Sequence, residues 1–101
     1  MKSIRFHPAA EDEMIESAAW YEMQQENLGS RFLASVRDSL NRISINPRVF
    51  PEIEGDVRRC LVRTFPYAIL FRILEDGIRI VAVMHTRRNP NYWRGRQTEQ
   101  S

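Results

Sequence analysis

Three side chains in the C-terminal half of the chain have the chemistry to bind a phosphate and to move a proton. Arg59 and Arg63 fall in an alternating run, four residues apart, so a strand would place both on one face. Arginine offers a planar fork that grips phosphate or carboxylate with two hydrogen bonds. His85 follows a later apolar run, and histidine is the residue type most suited to donating or accepting a proton at neutral pH. The three residues therefore predict a phosphate clamp with a possible acid or base.

Structural roles are also open to the same three residues. The acidic connector 48–56 supplies Glu52, Glu54 and Asp56, with which the two arginines can form an exposed ion-pair network of little energetic value. A histidine at the end of a strand is more often a hydrogen-bonded structural group than a catalyst. Both interpretations stay open at the level of sequence.

A predicted antiparallel meander positions these residues. Val57–Arg63 alternates apolar and basic side chains, Phe65-Pro66 interrupts the run, and a second strand follows over Tyr67–Leu74. Glu75-Asp76-Gly77 then predicts a hairpin turn into a third strand, Ile78–His85, because Asp-Gly between alternating runs is a strong hairpin signal.

The elements before the meander predict a strand and two helices. Ile4 and Phe6 mark a short strand at 2–6, and apolar spacing from Ala10 to Tyr21 predicts a first helix at about 8–26. A second helix carries Phe32, Val36, Leu40 and Ile43 and ends at Pro47. We expect an α+β fold in which a helical hairpin packs on a twisted, mainly antiparallel four-stranded sheet. The first strand should join at the edge or beside the third meander strand.

Charge is distributed unevenly along the chain. Residues 1–56 carry six basic and ten acidic side chains, whereas residues 57–101 carry nine basic and three acidic ones. The C-terminal half is therefore the part that would meet an anionic partner. Fourteen of the fifteen basic residues are arginine, which excludes any mechanism that needs a lysine cluster.

Several further expectations follow from composition. Cys60 is the only cysteine, so an intrachain disulfide is excluded, and we expect a small buried core residue. No zinc-type spacing is present, and we expect neither a metal nor a cofactor. No apolar run approaches the length of a membrane span, which favours a cytoplasmic location without a membrane partner. Residues 1–96 are expected to form one domain, with a polar tail at 97–101.

The order of these elements and several phrases resemble the RelE/ParE superfamily of type II toxin–antitoxin toxins. The phrases are Trp20-Tyr21 in the first helix, the connector with Pro47 and Phe50, VRRCLVRTFPYAILFRI, and the ending VMHTRRNPNYW. The Phe-Pro-Tyr element is most similar to the ParE, or plasmid-stabilisation, branch. The resemblance covers nearly the whole chain, from Ile4 to Arg96.

The resemblance implies a toxin that inhibits growth, a cognate antitoxin protein that neutralises it, and one of two targets. The preferred expectation is a ParE-like inhibitor that binds DNA gyrase without catalysis. The alternative is a RelE-like mRNA endonuclease that acts with the ribosome and mRNA. A third possibility is a degenerate member that binds its antitoxin without being toxic.

The two targets require different residues. By resemblance, a ribonuclease would use Arg59, Arg63 and His85, with Glu54 or Tyr92 assisting. However, the lysines on which some ribonuclease members rely are missing here, and the connector is acidic where RNA would approach. A surface that binds target or antitoxin would draw on the arginines of the first meander strand and on the basic, aromatic tail, namely Arg58, Arg59, Arg63, Arg87, Arg88, Tyr92, Trp93 and Arg94.

Overall fold

Two helices pack on one face of a five-stranded sheet in the computed structural model, which describes residues 3–97. The elements in chain order are β1 (Ile4–Phe6), α1 (Pro8–Gln24), α2 (Leu28–Ile45), β2 (Glu52–Glu54), β3 (Val57–Leu61), β4 (Tyr67–Leu74) and β5 (Gly77–His85). Short 3-10 turns lie at Pro47–Val49 and Arg94–Gln97. Lys2 of the predicted first strand and residues 98–101 of the predicted tail lie outside the described residues.

The sheet has the order β1-β5-β4-β3-β2, in which β1 runs parallel to β5 and the other neighbours are antiparallel. The predicted meander is confirmed, and β1 joins beside its third strand, at the edge of the sheet. The expectation of four strands was wrong. Part of the acidic connector forms β2, a three-residue edge strand whose Glu52 pairs with Arg58 of β3. So short a strand has no alternating pattern of its own and exists because β3 offers it a partner.

Side-chain hydrogen bonds cap the start of α1 and the turn between the helices, and a glycine lets α1 and α2 approach each other closely. The Nδ1 atom of His7 accepts a hydrogen bond from the Ala9 N–H and caps the start of α1. At the turn, the Glu22 carboxylate accepts from the N–H groups of Asn27 and Gly29. A Cβ at Gly29 would lie 2.5 Å from the Ala18 carbonyl oxygen, so only glycine permits α1 and α2 to cross this closely.

The main hydrophobic core lies between the helices and the sheet. Phe32 of α2 is fully buried there and meets the rings of Tyr21, Phe65 and Tyr67 at centroid distances of 5.2, 5.2 and 4.9 Å. Edge-to-face and tilted aromatic pairs at this spacing add to the energy of burial. Cys60 is buried in the same core, as predicted.

The opposite face of the sheet has a second, smaller core under the C-terminal tail. Trp93 is 2% exposed and packs with residues of β3, β4 and β5, which are Val57, Ala68, Leu70, Val81, Ala82 and Met84. Trp93, which was expected on a binding surface, therefore packs the tail onto the sheet. Throughout, the helix face denotes the side under α1 and α2, and the tail face denotes the side under residues 87–97.

A β-bulge in β5 changes which residues reach each face. Phe71 of β4 pairs with Ile80, whereas the preceding Leu70 pairs with Ala82, so Val81 is an extra residue. Before the bulge, Ile80 packs into the helix-face core, and after it Val83 does. The alternation is shifted by one residue, and His85 consequently lies on the helix face.

Candidate functional site

Arg59 lies on the tail face, beside a cavity of about 190 Å³. It stands on β3 between two residues of the same face, the buried Val57 and Leu61, which is 54% exposed. Ile53 of β2 lines the same cavity and is 40% exposed. Arg59 makes no ion pair within residues 3–97. An exposed cation between exposed aliphatic side chains is a surface suited to binding another protein.

Arg63 does not join Arg59 in a clamp. The strand was predicted to extend to Arg63, but β3 ends at Leu61, and Thr64 has a left-handed φ of 66°. The Arg63 carbonyl accepts a hydrogen bond from the Ser35 hydroxyl of α2, and its guanidinium pairs with Asp38 at 3.6 Å. The prediction that both arginines share a strand face was wrong, because contacts with α2 turn the chain away after Leu61.

His85 lies at the end of β5, beside a larger cleft on the helix face. Its ring packs edge-to-face on Tyr67 at a centroid distance of 5.3 Å, and its Nδ1 atom accepts from the Arg87 N–H at 3.1 Å. The cleft has a volume of about 620 Å³, and α1 contributes Glu13, Glu16 and Trp20 to its lining. His85 therefore has the structural hydrogen bond that was one of its two expected roles.

Arg59 and His85 consequently face opposite sides of the sheet. Val57 and Leu61, the same-face neighbours of Arg59, belong to or border the tail-face core, whereas the His85 ring contacts Tyr67 of the helix-face core. Their side chains cannot act on one phosphate, because a clamp and a proton donor must both lie within hydrogen-bond reach of the reacting group.

Glu54 and Tyr92, the assisting residues of a ribonuclease site, are also engaged elsewhere. Both Glu54 carboxylate oxygens accept from Arg94, at 2.7 and 2.6 Å. This pair raises the pKa of Arg94, chiefly through the hydrogen bonds. The Tyr92 ring lies under the guanidinium of Arg88, 3.6 Å from its centroid.

The Tyr92 hydroxyl is buried and has no hydrogen-bond partner of acceptable geometry within the described residues. Burial raises the pKa of this hydroxyl well above its ordinary value, and the nearby Glu13 carboxylate raises it further. Although Glu13 is close enough to act on the hydroxyl, the distance and angles between them do not make a hydrogen bond. A phenol in this setting stays protonated and cannot serve as a base at neutral pH.

Glu13 is the residue that sequence reasoning missed. Its side chain is 11% exposed and accepts from the Val83 N–H at 3.0 Å, from Arg88 at 3.2 Å and from Arg96 at 2.9 Å. Glu13 thus links the tail to α1. It also accepts from a backbone N–H of β5 in the part of that strand that β1 does not reach. The available signal was its place three residues after the buried Ala10, within the apolar stripe of α1.

The remaining predicted binding arginines differ in how firmly they are held. Arg58 holds the connector against β3. Its guanidinium donates to the carbonyls of Arg48 and Phe50 and pairs with Glu52 at 3.6 Å. Arg88 and Arg94 are paired with Glu13 and Glu54 as described above. Arg87 is exposed.

The described part of the chain contains neither a cluster of metal ligands nor a membrane-spanning helix. No group of three or more metal-ligating side chains is positioned to hold a metal ion within residues 3–97. None of the helices in that range is both long and apolar enough to cross a bilayer.

Comparisons with known proteins agree with the architecture. A profile of the family described as ParE toxin of type II toxin–antitoxin system, parDE, matches residues 4–90. Toxin ParE2 from two Mycobacterium tuberculosis strains, CDC 1551 / Oshkosh and H37Rv, is 26% identical over 91 residues, which cover 89% of this chain and 87% of the relative. A solved chain from the chromosomal ParDE TA system of P. aeruginosa superposes with a TM-score of 0.61 at 18% identity, covering 84% of this chain and 96% of that chain.

The fold and the profile match together define the class, a toxin of a type II toxin–antitoxin system. Within that class, the chain belongs to the ParE toxin family. The superfamily resemblance found in the sequence is confirmed.

Proposed function

We propose that this ParE-family toxin inhibits growth by binding DNA gyrase without catalysis, and that a cognate antitoxin neutralises it. The observation that carries the proposal is the separation of Arg59 and His85 onto opposite faces of the sheet. A ribonuclease would need a phosphate clamp, a base and an acid around one bond. Here Arg63 is paired with Asp38, Glu54 with Arg94, and the Tyr92 hydroxyl is buried.

The target surface that best fits this mechanism is the rim of the tail face. Arg59 stands there between Leu61 and Ile53, and Arg87 lies exposed at the start of the tail. Arginine set among apolar side chains is typical of residues that dominate binding energy at protein interfaces.

A different surface supports the antitoxin partner. Helix α1 is apolar on two sides, and its outer side leaves Ile15, Trp20 and Met23 exposed at 55, 57 and 83%. Of these side chains, Trp20 also lines the cleft to which His85 and Tyr67 contribute. The exposed charges of α1 near the cleft are acidic, and the helix carries no basic residue. A segment that covers this stripe should therefore be amphipathic and carry basic side chains at its margin.

The antitoxin part of the proposal is tested by titrating the purified product of the neighbouring gene into this protein. We expect a nanomolar complex in calorimetry. Trp20→Ala should weaken it at least about tenfold, because interface tryptophans commonly contribute more than about 1.4 kcal/mol. Ile45→Ala is the matched control, since Ile45 is 65% exposed but lies at the far end of α2. Absence of binding, or equal weakening by both variants, would contradict the assignment.

The gyrase part is tested by a DNA supercoiling assay with purified gyrase. We expect loss of supercoiling with accumulation of cleaved DNA, and we expect Arg59→Ala to lose the effect while His85→Ala keeps it. Unchanged supercoiling by a protein that still stops growth would move the assignment to mRNA cleavage, where His85→Ala should abolish activity. A protein that leaves supercoiling, mRNA and growth intact but binds its antitoxin would be a non-toxic member of the family.

A further inference from the structure

Three arginines stand side by side across the sheet at the end farthest from His85. In the strand registers, Arg79 of β5 is directly opposite Arg5 of β1 on one side and Arg72 of β4 on the other. Their chain neighbours, among them Ile78 and Ile80, point into the helix-face core. All three arginines consequently lie on the tail face, at the spacing of cross-strand neighbours.

Arg79, the central arginine, is buried and has no counter-ion among residues 3–97. It is only 9% exposed, and its Nε and Nη2 atoms have no hydrogen-bond partner within the described residues. The same Nε and Nη2 edge is filled elsewhere in this protein. Arg72 uses it to hold Asp56, at 3.1 Å from each nitrogen, and Arg94 uses it to hold Glu54.

This arrangement is unfavourable for the chain alone. Like charges placed directly opposite on neighbouring strands repel, and a buried guanidinium without a partner loses its hydration without replacement. Arg5 does not relieve the repulsion, since it is 75% exposed and reaches Asp76 only at 4.0 Å. One negatively charged group beside Arg79 would offset both costs.

Access to the row exists at its outer end. A cavity of about 130 Å³ is lined by Arg79 and Arg5 and closed by Ser3, Asp76 and Gly77. At Gly77, a Cβ would lie 2.6 Å from the Ser3 carbonyl oxygen, so the glycine lets β1 approach the hairpin and shape this space. The cavity is large enough for a carboxylate or phosphate group.

We propose that Arg79, flanked by Arg5 and Arg72, is a binding site for a single carboxylate presented by a partner polypeptide. The planar Nε and Nη2 edge matches the two oxygens of a carboxylate, as the Arg72–Asp56 and Arg94–Glu54 pairs show in this molecule. The flanking Asp56 and Asp76 carboxylates leave room for one negative charge and repel a polyanion such as a nucleic-acid backbone. The site lies apart from the cleft of His85 and from the rim at Arg59.

Side-chain NMR tests the site directly. The Nε–H resonances of the arginines would be followed in ¹H–¹⁵N spectra at pH 7 while sodium acetate replaces sodium chloride at constant ionic strength. We expect a saturable shift of the Arg79 resonance as acetate replaces chloride. In a separate titration with sodium chloride alone, we expect no shift of this resonance. In Arg79→Gln, the acetate affinity read from Arg72 should fall at least about tenfold, because the bidentate partner is gone. Arg37→Gln, on the exposed side of α2, should bind acetate as the wild type does.

A second variant covers the case in which Arg79→Gln does not fold. Arg5→Gln changes an exposed side chain and should weaken acetate binding about threefold, since it removes one flanking charge. Two peptides then identify the source of the carboxylate, one with blocked ends and a single glutamate, the other with a free C-terminus and no acidic side chain. The peptide that binds more tightly names the source.

Three results would overturn the proposal. These are an Arg79 resonance that responds equally to acetate and chloride, an Arg79→Gln variant that retains wild-type acetate affinity, and inorganic phosphate binding at least about tenfold more tightly than acetate. The last result would assign the row to phosphate and not to a carboxylate.

Discussion

The two faces of the sheet are covered in different ways. On the helix face, α1 and α2 bury a continuous core in which three aromatic rings pack around Phe32. On the tail face, a short segment without α-helix or strand covers part of the sheet through one buried tryptophan, and ion pairs at Glu13 and Glu54 hold it in place. The first cover depends on apolar area and the second depends largely on charge.

This difference separates the main source of stability from two of the three surfaces proposed for recognition. Apolar burial is not weakened by the screening of charges, so the helix face should determine whether the chain folds. Ion pairs weaken as salt screens them or as groups titrate, so the tail can respond to its surroundings without global unfolding. The surfaces proposed for gyrase and for a carboxylate lie on the tail face.

Truncation of Phe32 should destabilise the core on the helix face and give the largest loss in the free energy of unfolding. Phe32→Ala removes a fully buried ring from the centre of the aromatic cluster, and we expect a loss of about 4 kcal/mol in the free energy of unfolding. Urea titration followed by circular dichroism measures it. Met23→Ala, at a residue 83% exposed on α1, is the control and should change stability by less than about 0.5 kcal/mol. A loss below about 1 kcal/mol at Phe32 would contradict the assignment of the main core.

Truncation of Trp93 should have a somewhat smaller effect. Trp93→Ala loses a ring that is 2% exposed, but the indole N–H is buried without a partner among the described residues, and its removal recovers part of that cost. We expect a loss of about 3 kcal/mol. Limited proteolysis should in addition cut the tail after Arg87 or Arg88 in the variant and not in the wild type. A tail that stays protected would show that the ion pairs alone hold it.

Neutralising Glu13 should release the tail at a lower cost than removing Trp93. Glu13→Gln still offers an oxygen to the Val83 N–H but leaves Arg88 and Arg96 without their carboxylate, and Arg96 is only 15% exposed. We expect a loss of about 2 kcal/mol that shrinks in 1 M salt, measured by urea titration at two salt concentrations. Glu16→Gln is the matched control one turn away on the exposed side of α1. Equal losses at both positions would remove the special role of Glu13.

The helix face was predictable from sequence because its signals are local. Amphipathic spacing located both helices, and the Asp-Gly turn located the β4–β5 hairpin to within one residue, with β5 beginning at Gly77. The end of α2 followed from Pro47. These features depend on neighbouring residues in the chain and need no knowledge of tertiary contacts.

The tail face was not predictable, because its determinants are contacts between distant segments. Strict alternation places Ile78, Ile80, Ala82 and Met84 on one face, and the bulge at Val81 divides them between two. The early end of β3 depends on α2, through Asp38 and Ser35. The tie from Glu13 to Arg96 spans most of the chain. A search for catalytic residue types could not detect that the sheet separates Arg59 from His85.

Alkaline pH should have the smallest of these effects on the free energy of unfolding, and it should act through Tyr92 on the tail face. Burial raises the pKa of Tyr92 above its ordinary value of 10.0, with Glu13 adding to the shift. Since the folded-state pKa exceeds the unfolded one, the associated stability is fully present below about pH 10 and is lost as the pH rises above it. Between the unfolded and the folded pKa the loss is about 1.4 kcal/mol per pH unit, and because Tyr92 is only partly buried we expect that pH interval to be short.

Tyr92→Phe isolates this contribution. At pH 7 the variant should be at least as stable as the wild type, because the hydroxyl it removes is buried without a hydrogen-bond partner of good geometry within residues 3–97. Above pH 10 its stability should fall less steeply, with the remaining slope due to Tyr21 and Cys60 on the helix face, whose pKa values burial also raises. Urea titrations at pH 7 and from pH 9 to 11 measure both slopes, with Tyr21→Phe as the matched helix-face variant. Tyr21→Phe could reduce the loss of stability at high pH more than Tyr92→Phe does. The alkaline sensitivity would then arise on the helix face, and the proposal that the tail face is the more pH-sensitive of the two would be wrong.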